Sequence, residues 1–532
     1  MTYIPEIETM ADVPRYHARV RPQSIALIDG DRVSTYARFQ ERTARVANGL
    51  LALGVKPGAR IAALDQNSDR YFEILFGAAK VGAVLVSVNW RLAPPEISYI
   101  LNDARAEVIF IGQGFAGLLR PLLKDLPHLK HVVVVDGNAE GWLSYESWIA
   151  AQSDEDPPFR GEPKDTIVQM YTSGTTGNPK GVQLSHFSLY AHDRNRALLK
   201  EQFDPSLGWN EWDANDVSLV TMPAFHISGT GWGIVGLYNG AKSIILSQFE
   251  PGTVLRTIDV ERVSKLVLVP AAIQMLLRHP DCRKTDFSAI KYLLYGASPI
   301  PLDLLREAVE VFKCGFIQLY GMTETAGAVT YLPAEDHDPS GTKRMRSAGR
   351  AITGSKIEIR DASGRTLGTG AEGEIWIKSA TCMNGYWNLP EATASTMPGG
   401  DWVRSGDAGY MDEDGYVYIQ DRVKDMIVSG GENIYPAEVE SAMYGHPAIA
   451  EVAVIAVPDA KWGEAVKAIV VLKPGAEPDA ASILEFTRTR IAGYKVPKSI
   501  DFVAELPRNA TGKVLKRELR KPFWAGQERQ VN

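Results

Sequence analysis

From about residue 35 to about residue 330, short apolar runs alternate with stretches whose apolar positions recur every three or four residues. The short runs are Arg60–Leu64, Gly82–Val88, Glu107–Ile111, Thr166–Tyr171, Lys242–Leu246, Lys265–Val269 and Tyr292–Tyr295. They are too short for ordinary helices and rich in β-branched residues, so each predicts a strand. Between the last strands, Leu304, Leu305, Ala308, Val309 and Phe312 fall on one face of a predicted helix that Pro301 opens. Strands that alternate with helices predict largely parallel sheets covered by helices.

Beyond about residue 350 the period shortens to two. Lys356–Arg360, Glu374–Lys378 and Tyr416–Ile419 alternate, and Asp361-Ala-Ser-Gly364 and Asp414-Gly415 read as turns. We expect a small antiparallel, barrel-like subdomain closing the large domain. The charged stretch Asp421-Arg-Val-Lys-Asp425 follows, and then a compact α+β pattern to about residue 522. The expected architecture is therefore α/β and α+β. A large N-terminal domain over 1–420 is joined by a hinge at 421–425 to a small C-terminal domain over 426–532.

Composition narrows the function classes. With 45% apolar and 23% charged residues over 532 positions, the chain carries enough apolar surface for more than one core, which excludes disorder. A net charge of −7 gives no general attraction to nucleic acid. Cys282, Cys314 and Cys382 are far apart and odd in number, as expected in a reducing cytoplasm. The acidic N-terminal stretch lacks a secretory pattern, and the apolar segment from Gly231 to Leu246 is broken by Gly, Asn and Lys. We expect a cytoplasmic monomer or homodimer with no membrane span, for which peripheral contact with a membrane-borne substrate stays open.

The sharpest chemical signal is Tyr171-Thr-Ser-Gly-Thr-Thr-Gly-Asn-Pro-Lys-Gly-Val182. A strand ends in a loop of Gly, Ser and Thr closed by Lys180. Glycines let backbone N–H groups approach a phosphate, the hydroxyls add donors, and the lysine adds charge. The spacing is not that of the Walker loop. Gly368-Thr-Gly-Ala-Glu-Gly373 fits GxGxxG but precedes a strand, so the dinucleotide context fails.

This loop resembles the phosphate loop of the ANL superfamily: acyl- and aryl-CoA synthetases, adenylation domains of peptide synthetases, and luciferases. Four further matches follow in the family's order, so the resemblance spans nearly the whole chain. It implies a nucleotide site built from Thr172, Ser173, Gly174, Thr175, Thr176, Gly177 and Lys180, with Gly296-Ala297-Ser298 and Gln318 beside it. In Tyr320-Gly321-Met322-Thr323-Glu324, it implies that the tyrosine stacks on adenine, Thr323 touches the α-phosphate, and Glu324, with Thr172, holds Mg2+. A flat ring covers a base well, and a carboxylate is a hard ligand beside phosphates.

The resemblance further implies that Asp407 of Ser405-Gly-Asp407 and Arg422 hold the ribose, and that Lys424 is the hinge of a mobile small domain. Gly430 and Gly431 line the pantetheine tunnel, where a side chain would be an obstruction. Lys513 of Pro507-Arg-Asn-Ala-Thr-Gly-Lys513 is the adenylation lysine, its ammonium offsetting charge at the α-phosphate. His226 of Pro223-Ala-Phe-His226 lies near the acyl and pantetheine channel and joins Lys513, Thr323 and Glu324 as a catalytic candidate.

The implied activity is an AMP-forming acyl-CoA synthetase using ATP, Mg2+ and coenzyme A. Rival readings are a stand-alone enzyme loading a carrier protein, a luciferase-type oxygenase, and a non-catalytic binding protein. The acyl pocket is expected from Met222–Gly236, Tyr295–Ile300 and Gly321–Thr330. Small residues (Gly229, Gly231, Gly233, Ala326 to Ala328) suggest room, Trp232 and Ile234 an apolar lining, and no Arg or Lys is placed for a second carboxylate. A medium- or long-chain fatty acid is expected first, an aryl or arylpropenoic acid second.

Overall fold

A computed structural model describes residues 4–158, 161–172, 178–198, 205–298, 300–340, 343–422, 425–429, 432–459, 462–508 and 514–524. Two large sheets form the body of the N-terminal part. The first has nine strands, with Lys265–Leu268, Tyr292–Gly296 and Gly315–Met322 running parallel side by side. It then turns antiparallel through Gly327–Leu332. The second has eight strands. Its parallel centre holds Arg60–Leu64, Val84–Ser87, Val108–Ile111 and His131–Val134, and its far edge is antiparallel through Thr166–Thr172, Lys180–Ser185 and Gly385–Tyr386. Each of the seven runs read as strands from the pattern coincides with a strand to within a residue or two at its ends.

The helices Tyr36–Ala52 and Asp69–Ala79 supply Val46, Leu50, Phe72 and Phe76 to a core shared by both sheets. Burying each such side chain contributes about 1.5–3 kcal/mol. Both helices open on hydroxyl caps, since Thr35 accepts from the Arg38 amide and Ser68 from the Tyr71 amide. The predicted helix after Pro301 spans Leu302–Phe312 and buries Leu304, Leu305, Ala308 and Phe312. It ends where Lys313 takes φ 50°.

The small antiparallel unit contains Lys356–Arg360, Gly373–Lys378, Val403–Met411 and Val417–Arg422 in that order. Its outer strands do not pair with each other among the described residues, so the ladder is open rather than barrel-like. Its apolar face is instead covered by Val329, Tyr320 and Met322 of the nine-stranded sheet. A face already buried against another sheet has no need of closure.

The C-terminal part has its own sheet. Ile427–Ser429, Glu432–Ile434, Ile449–Asp459 and Gly463–Leu472 are antiparallel, and Ser499–Phe502 joins in parallel. A separate core lies beneath it, including Val439, Val454, Val466 and Ile483. Contacts to the large domain are polar. The Gln274 amide donates to Tyr444 Oη at 2.7 Å, and Tyr435 Oη donates to Glu372 Oε2 at 3.0 Å.

Candidate active site

The parallel strands Tyr292–Gly296 and Gly315–Met322 end side by side, with Tyr295 opposite Gln318 and Gly296 opposite Leu319. Carboxyl ends of parallel strands are where open α/β sheets bind ligands. Two glycines make the close packing possible. A Cβ on Gly296 would lie 2.2 Å from the Leu319 carbonyl oxygen, and one on Gly321 would lie 1.8 Å from that of Gly327. Ala297, between Gly296 and the half-buried Ser298, takes φ 67°, a backbone state unusual for an alanine. Gln318 Oε1 accepts from Tyr295 Oη at 3.2 Å, and that hydroxyl also meets His337 Nε2 at 3.0 Å.

After Met322 the chain makes one tight turn, Thr323–Thr325. The Thr325 hydroxyl locks it, donating to the carbonyls of Met322 at 3.0 Å and Gly327 at 2.7 Å. Thr323 is half-buried, and Glu324 is only 6% exposed. Tyr320 reaches across to the four-stranded sheet, where its hydroxyl donates to Asp407 Oδ2 at 2.7 Å. Asp407 is held from its own side as well. Its amide donates to Ser405 Oγ, which donates to the Ile375 carbonyl. Gly406 needs φ 71° to make this bend. Arg422 stands opposite Asp407 in the ladder, so the two predicted ribose contacts are neighbours by backbone register.

Thr172 and Lys180 face each other at the mouth of the predicted phosphate loop, as the last pair in the register between their strands. Ser173, Gly174, Thr175, Thr176 and Gly177 lie outside the described residues. The strands that carry the loop are braced, because Tyr171 Oη donates to Asp103 Oδ2 at 2.5 Å and the Gln169 amide donates to Tyr171 Oη. The Lys180 ammonium stands over the Tyr386 ring, 4.9 Å from its centroid. Tyr386 Oη in turn donates to Glu324 Oε1 at 2.8 Å.

Mg2+ was tested against this donor set. Among the described residues no cluster of three or more His, Cys, Asp or Glu side chains could cage a metal. A single carboxylate beside a phosphate loop is nonetheless what Mg2+ takes, since it keeps waters and completes its shell with phosphate oxygens. Glu324 Oε2 has no hydrogen-bond partner among the described residues, and the turn carrying it packs on the strand that starts at Lys180. The residues present fit the ion.

His226 caps the helix Ile227–Tyr238 with its carbonyl, which accepts from Gly229 and Thr230. Burial, aided by the nearby Arg91 charge, pushes its ring down to about 4, so it is neutral near pH 7. Its Nε2 is buried without a partner among the described residues, and its ring stands edge-on to Phe225.

The expected lining of the acyl pocket needs correction. A Cβ on Gly229 would lie 2.2 Å from the Pro223 carbonyl oxygen, and one on Gly233 would lie 2.2 Å from the Phe72 ring, so both glycines serve close packing. Trp232 and Ile234 point into the core, where Trp232 packs on Trp212 and donates to the Leu219 carbonyl. Only Gly231 of the three glycines keeps open surroundings, where a Cβ would meet nothing but the Ile227 side chain at 3.4 Å.

Lys424, Gly430, Gly431 and Lys513 lie outside the described residues. Lys513 falls between Arg508 and Val514, which form a bridge. The site also contains residues the sequence reading missed. Tyr386 had no signal beyond an aromatic pair after a glycine, Thr325 sat unremarked beside Glu324, and His192 is one of nine histidines. His192 Nε2 contacts the Ala328 carbonyl at 2.7 Å, while its buried Nδ1 has no partner among the described residues.

Comparison with known proteins agrees with this arrangement. The family pattern described as "AMP-binding enzyme" matches residues 15–387, and "AMP-binding enzyme C-terminal domain" matches 438–513. A fatty acid–[acyl-carrier-protein] ligase, ScoC, from Streptomyces coeruleorubidus is 39% identical, covering 99% of both chains. A feruloyl-CoA synthase from an Amycolatopsis species is 38% identical over 96% of this chain and 98% of its own. Among solved structures, the anthranilate CoA ligase AuaEII in complex with anthranoyl-AMP superposes with a TM-score of 0.89 at 29% identity, covering 98% of each chain. The side-by-side strand ends, the flank of the phosphate loop and the full-length likeness agree: the chain belongs to the AMP-binding enzyme family, within the ANL superfamily of AMP-forming acid–thiol ligases.

Proposed function

We propose that the protein is an acyl-CoA synthetase whose acid is a medium- or long-chain fatty acid. The observation that carries the enzymatic reading is the convergence of Tyr320, Asp407 and Glu324 at one strand end, beside the mouth of the loop at Thr172 and Lys180. In the first half-reaction a carboxylate oxygen attacks the α-phosphorus of ATP and pyrophosphate leaves. Tyr320 covers the adenine, and Asp407 with Arg422 holds the ribose. The segment from Thr172 to Lys180, including Ser173, Gly174, Thr175, Thr176 and Gly177, takes the β- and γ-phosphates. Gly296, Ala297, Ser298, Gln318, Gly321, Met322 and Thr323 form the wall beside the adenosine and α-phosphate. Glu324, aided by Thr172, would hold Mg2+, which neutralises phosphate charge when bound. Lys513 contacts the carboxylate and the α-phosphate and lowers their mutual repulsion.

In the second half-reaction the small domain, 426–532, turns about the hinge 421–425. Lys513 withdraws from the large domain, 1–420, and Gly430 and Gly431 line the path for pantetheine. The thiol sulfur attacks the acyl carbon, the bond to AMP breaks, and the thiol proton departs to a base or water. His226, neutral and with an Nε2 that has no partner among the described residues, stands as the candidate group at that channel.

The substrate reading rests on Ile227, Gly231 and Gly327, which leave one apolar, small-residue face beside the site. The fatty acid ligase at 39% identity supports it, and that relative also makes a carrier protein the rival acceptor. One observation favours an aryl acid as the second reading. With its Nε2–H donated to the Ala328 carbonyl, His192 keeps an Nδ1 that has no partner among the described residues and would accept a hydrogen bond from a hydroxyl or amino substituent. Pyrophosphate release would be followed with straight-chain, hydroxylated aryl and amino-aryl acids. Each would be run with CoA, with a phosphopantetheinylated carrier protein and with neither. Turnover that requires CoA and peaks on one acid class supports the synthetase and names its substrate. Turnover with the carrier alone, or none with any acid, overturns it.

A further inference from the structure

Segment 383–387 is tied down along its whole length, Gly385 by its pairing with Gln183 in the ladder. The Met383 amide donates to the Glu324 carbonyl, that of Asn384 to Gln183, and that of Trp387 to Gly181. The Tyr386 amide donates to Thr393 Oγ1 at 2.9 Å, and Tyr386 pairs with Val182 in the ladder. Trp387 is clamped from outside, its indole N–H donating to the Asp103 carbonyl while the Arg60 guanidinium lies 3.4 Å from its ring centroid. So held, Tyr386 has little freedom. It is 7% exposed, its ring faces the Lys180 ammonium, and its hydroxyl points at Glu324 Oε1.

A carboxylate at the end of a glutamate side chain rotates readily between ways of presenting its oxygens. With Oε1 held by a fixed phenol, that rotation stops and Oε2 is left without a hydrogen-bond partner among the described residues. We propose that Tyr386 is a positioning residue for nucleotide activation: it orients Glu324 so that one carboxylate oxygen stays available to the divalent ion carried by ATP, and it seats Lys180 at the phosphate-loop mouth. This rests on the reading of Glu324 as the ion's protein contact. Tyr386 touches no substrate and acts through Glu324 and Lys180.

The test uses Tyr386→Phe, Glu324→Gln and the double variant, all in the full chain. Tyr386→Phe keeps the ring over Lys180 and removes only the hydroxyl. Mn2+ binding to the enzyme with a non-hydrolysable ATP analogue would be read from the electron paramagnetic resonance of free Mn2+, without turnover. Alongside it, the Mg2+ dependence of acyl-AMP formation and the thermal midpoint would be measured. Tyr386→Phe should weaken Mn2+ binding about tenfold, the scale of one hydrogen bond to a charged group. Its midpoint and its metal-free affinity for the analogue should remain near those of the parent. Glu324→Gln should weaken the ion at least as much, and the double variant no more than Glu324→Gln alone. Unchanged Mn2+ binding in Tyr386→Phe, with a loss in Glu324→Gln, overturns the inference and leaves the Glu324 reading standing. No loss in Glu324→Gln overturns that reading itself. Additive losses in the double variant show that Tyr386 does not act through Glu324.

Discussion

The hydroxyl of Tyr320 donates to Asp407 Oδ2 at 2.7 Å, joining residues 87 positions apart and two different sheets. The tyrosine comes from the nine-stranded sheet and the aspartate from the four-stranded one. With the roles proposed for them, their union would set the distance between a base-covering ring and a ribose-binding carboxylate before any nucleotide arrives. Pre-set geometry of this kind removes an ordering cost from binding.

Removing the tyrosine hydroxyl should therefore loosen Asp407 more than it disturbs the fold. Tyr320→Phe is expected to raise KM for ATP about tenfold, within the worth of a hydrogen bond to a charged group, with a smaller change in kcat. Steady-state kinetics with ATP as the varied substrate checks this. An unchanged KM would show that Asp407 needs no help from Tyr320.

Glycines in the site divide into two kinds, and substitution separates them. Gly321→Ala and Gly233→Ala force a methyl to within 1.8 Å of a backbone oxygen and 2.2 Å of the Phe72 ring. Each should cost about 1–3 kcal/mol or more and lower the thermal midpoint. At Gly231 an added Cβ meets only the Ile227 side chain, so Gly231→Leu should leave the midpoint near the parent. If that face receives the acyl chain, the same change should shift preference toward shorter acids. A stable Gly231→Leu with an unaltered acid profile would move the acyl site elsewhere.

Stability should fall in mild acid. His17, His186, His226 and His337 are all pushed by burial from an ordinary value of 6.5 to about 4. Below 6.5 the unfolded chain takes up protons that the folded chain refuses, so their contribution is complete above 6.5 and drains away down to about 4. Asp65, raised by burial to about 7, works the other way, as do Asp69 and Glu73, also raised by burial, but these three are fewer than the four rings. Urea midpoints measured at steps from neutral pH downward should decline through this window, and a flat profile would contradict the burial of these rings.

Lys513→Ala should split the two half-reactions. Acyl-AMP formation should drop by about a hundredfold or more, the scale of losing one charge-stabilising group at a reacting centre. Thioester formation from supplied acyl-AMP should stay near the parent rate. Equal loss in both halves would remove Lys513 from its assigned role.

The strand runs from Arg60–Leu64 through Tyr292–Gly296 were legible because parallel, doubly covered strands are apolar throughout. The helix over Leu302–Phe312 was legible from its one-sided face. Legibility failed where a residue's use depends on what the fold brings to it. Gly229 and Gly233 looked like room in the chain, but Pro223 and Phe72 fill the space beside them. Trp232 looked like a pocket wall, yet its ring packs on Trp212 in the core. The small antiparallel unit read as barrel-like because alternation cannot say which other sheet will cover its face.

By itself, the sequence determined the kind of chemistry. A glycine- and hydroxyl-rich loop closed by Lys180, the Tyr320–Glu324 segment and Lys513 are local patterns, and local chemistry survives in one dimension. Tertiary structure decided which groups act together. Only folding sets Tyr386, 62 residues from Glu324, within 2.8 Å of its carboxylate, and leaves His192 with one nitrogen bound to the Ala328 carbonyl and the other without a partner among the described residues. The physical reason is that hydrogen bonds and burial depend on distances in space, which chain order fixes only between near neighbours.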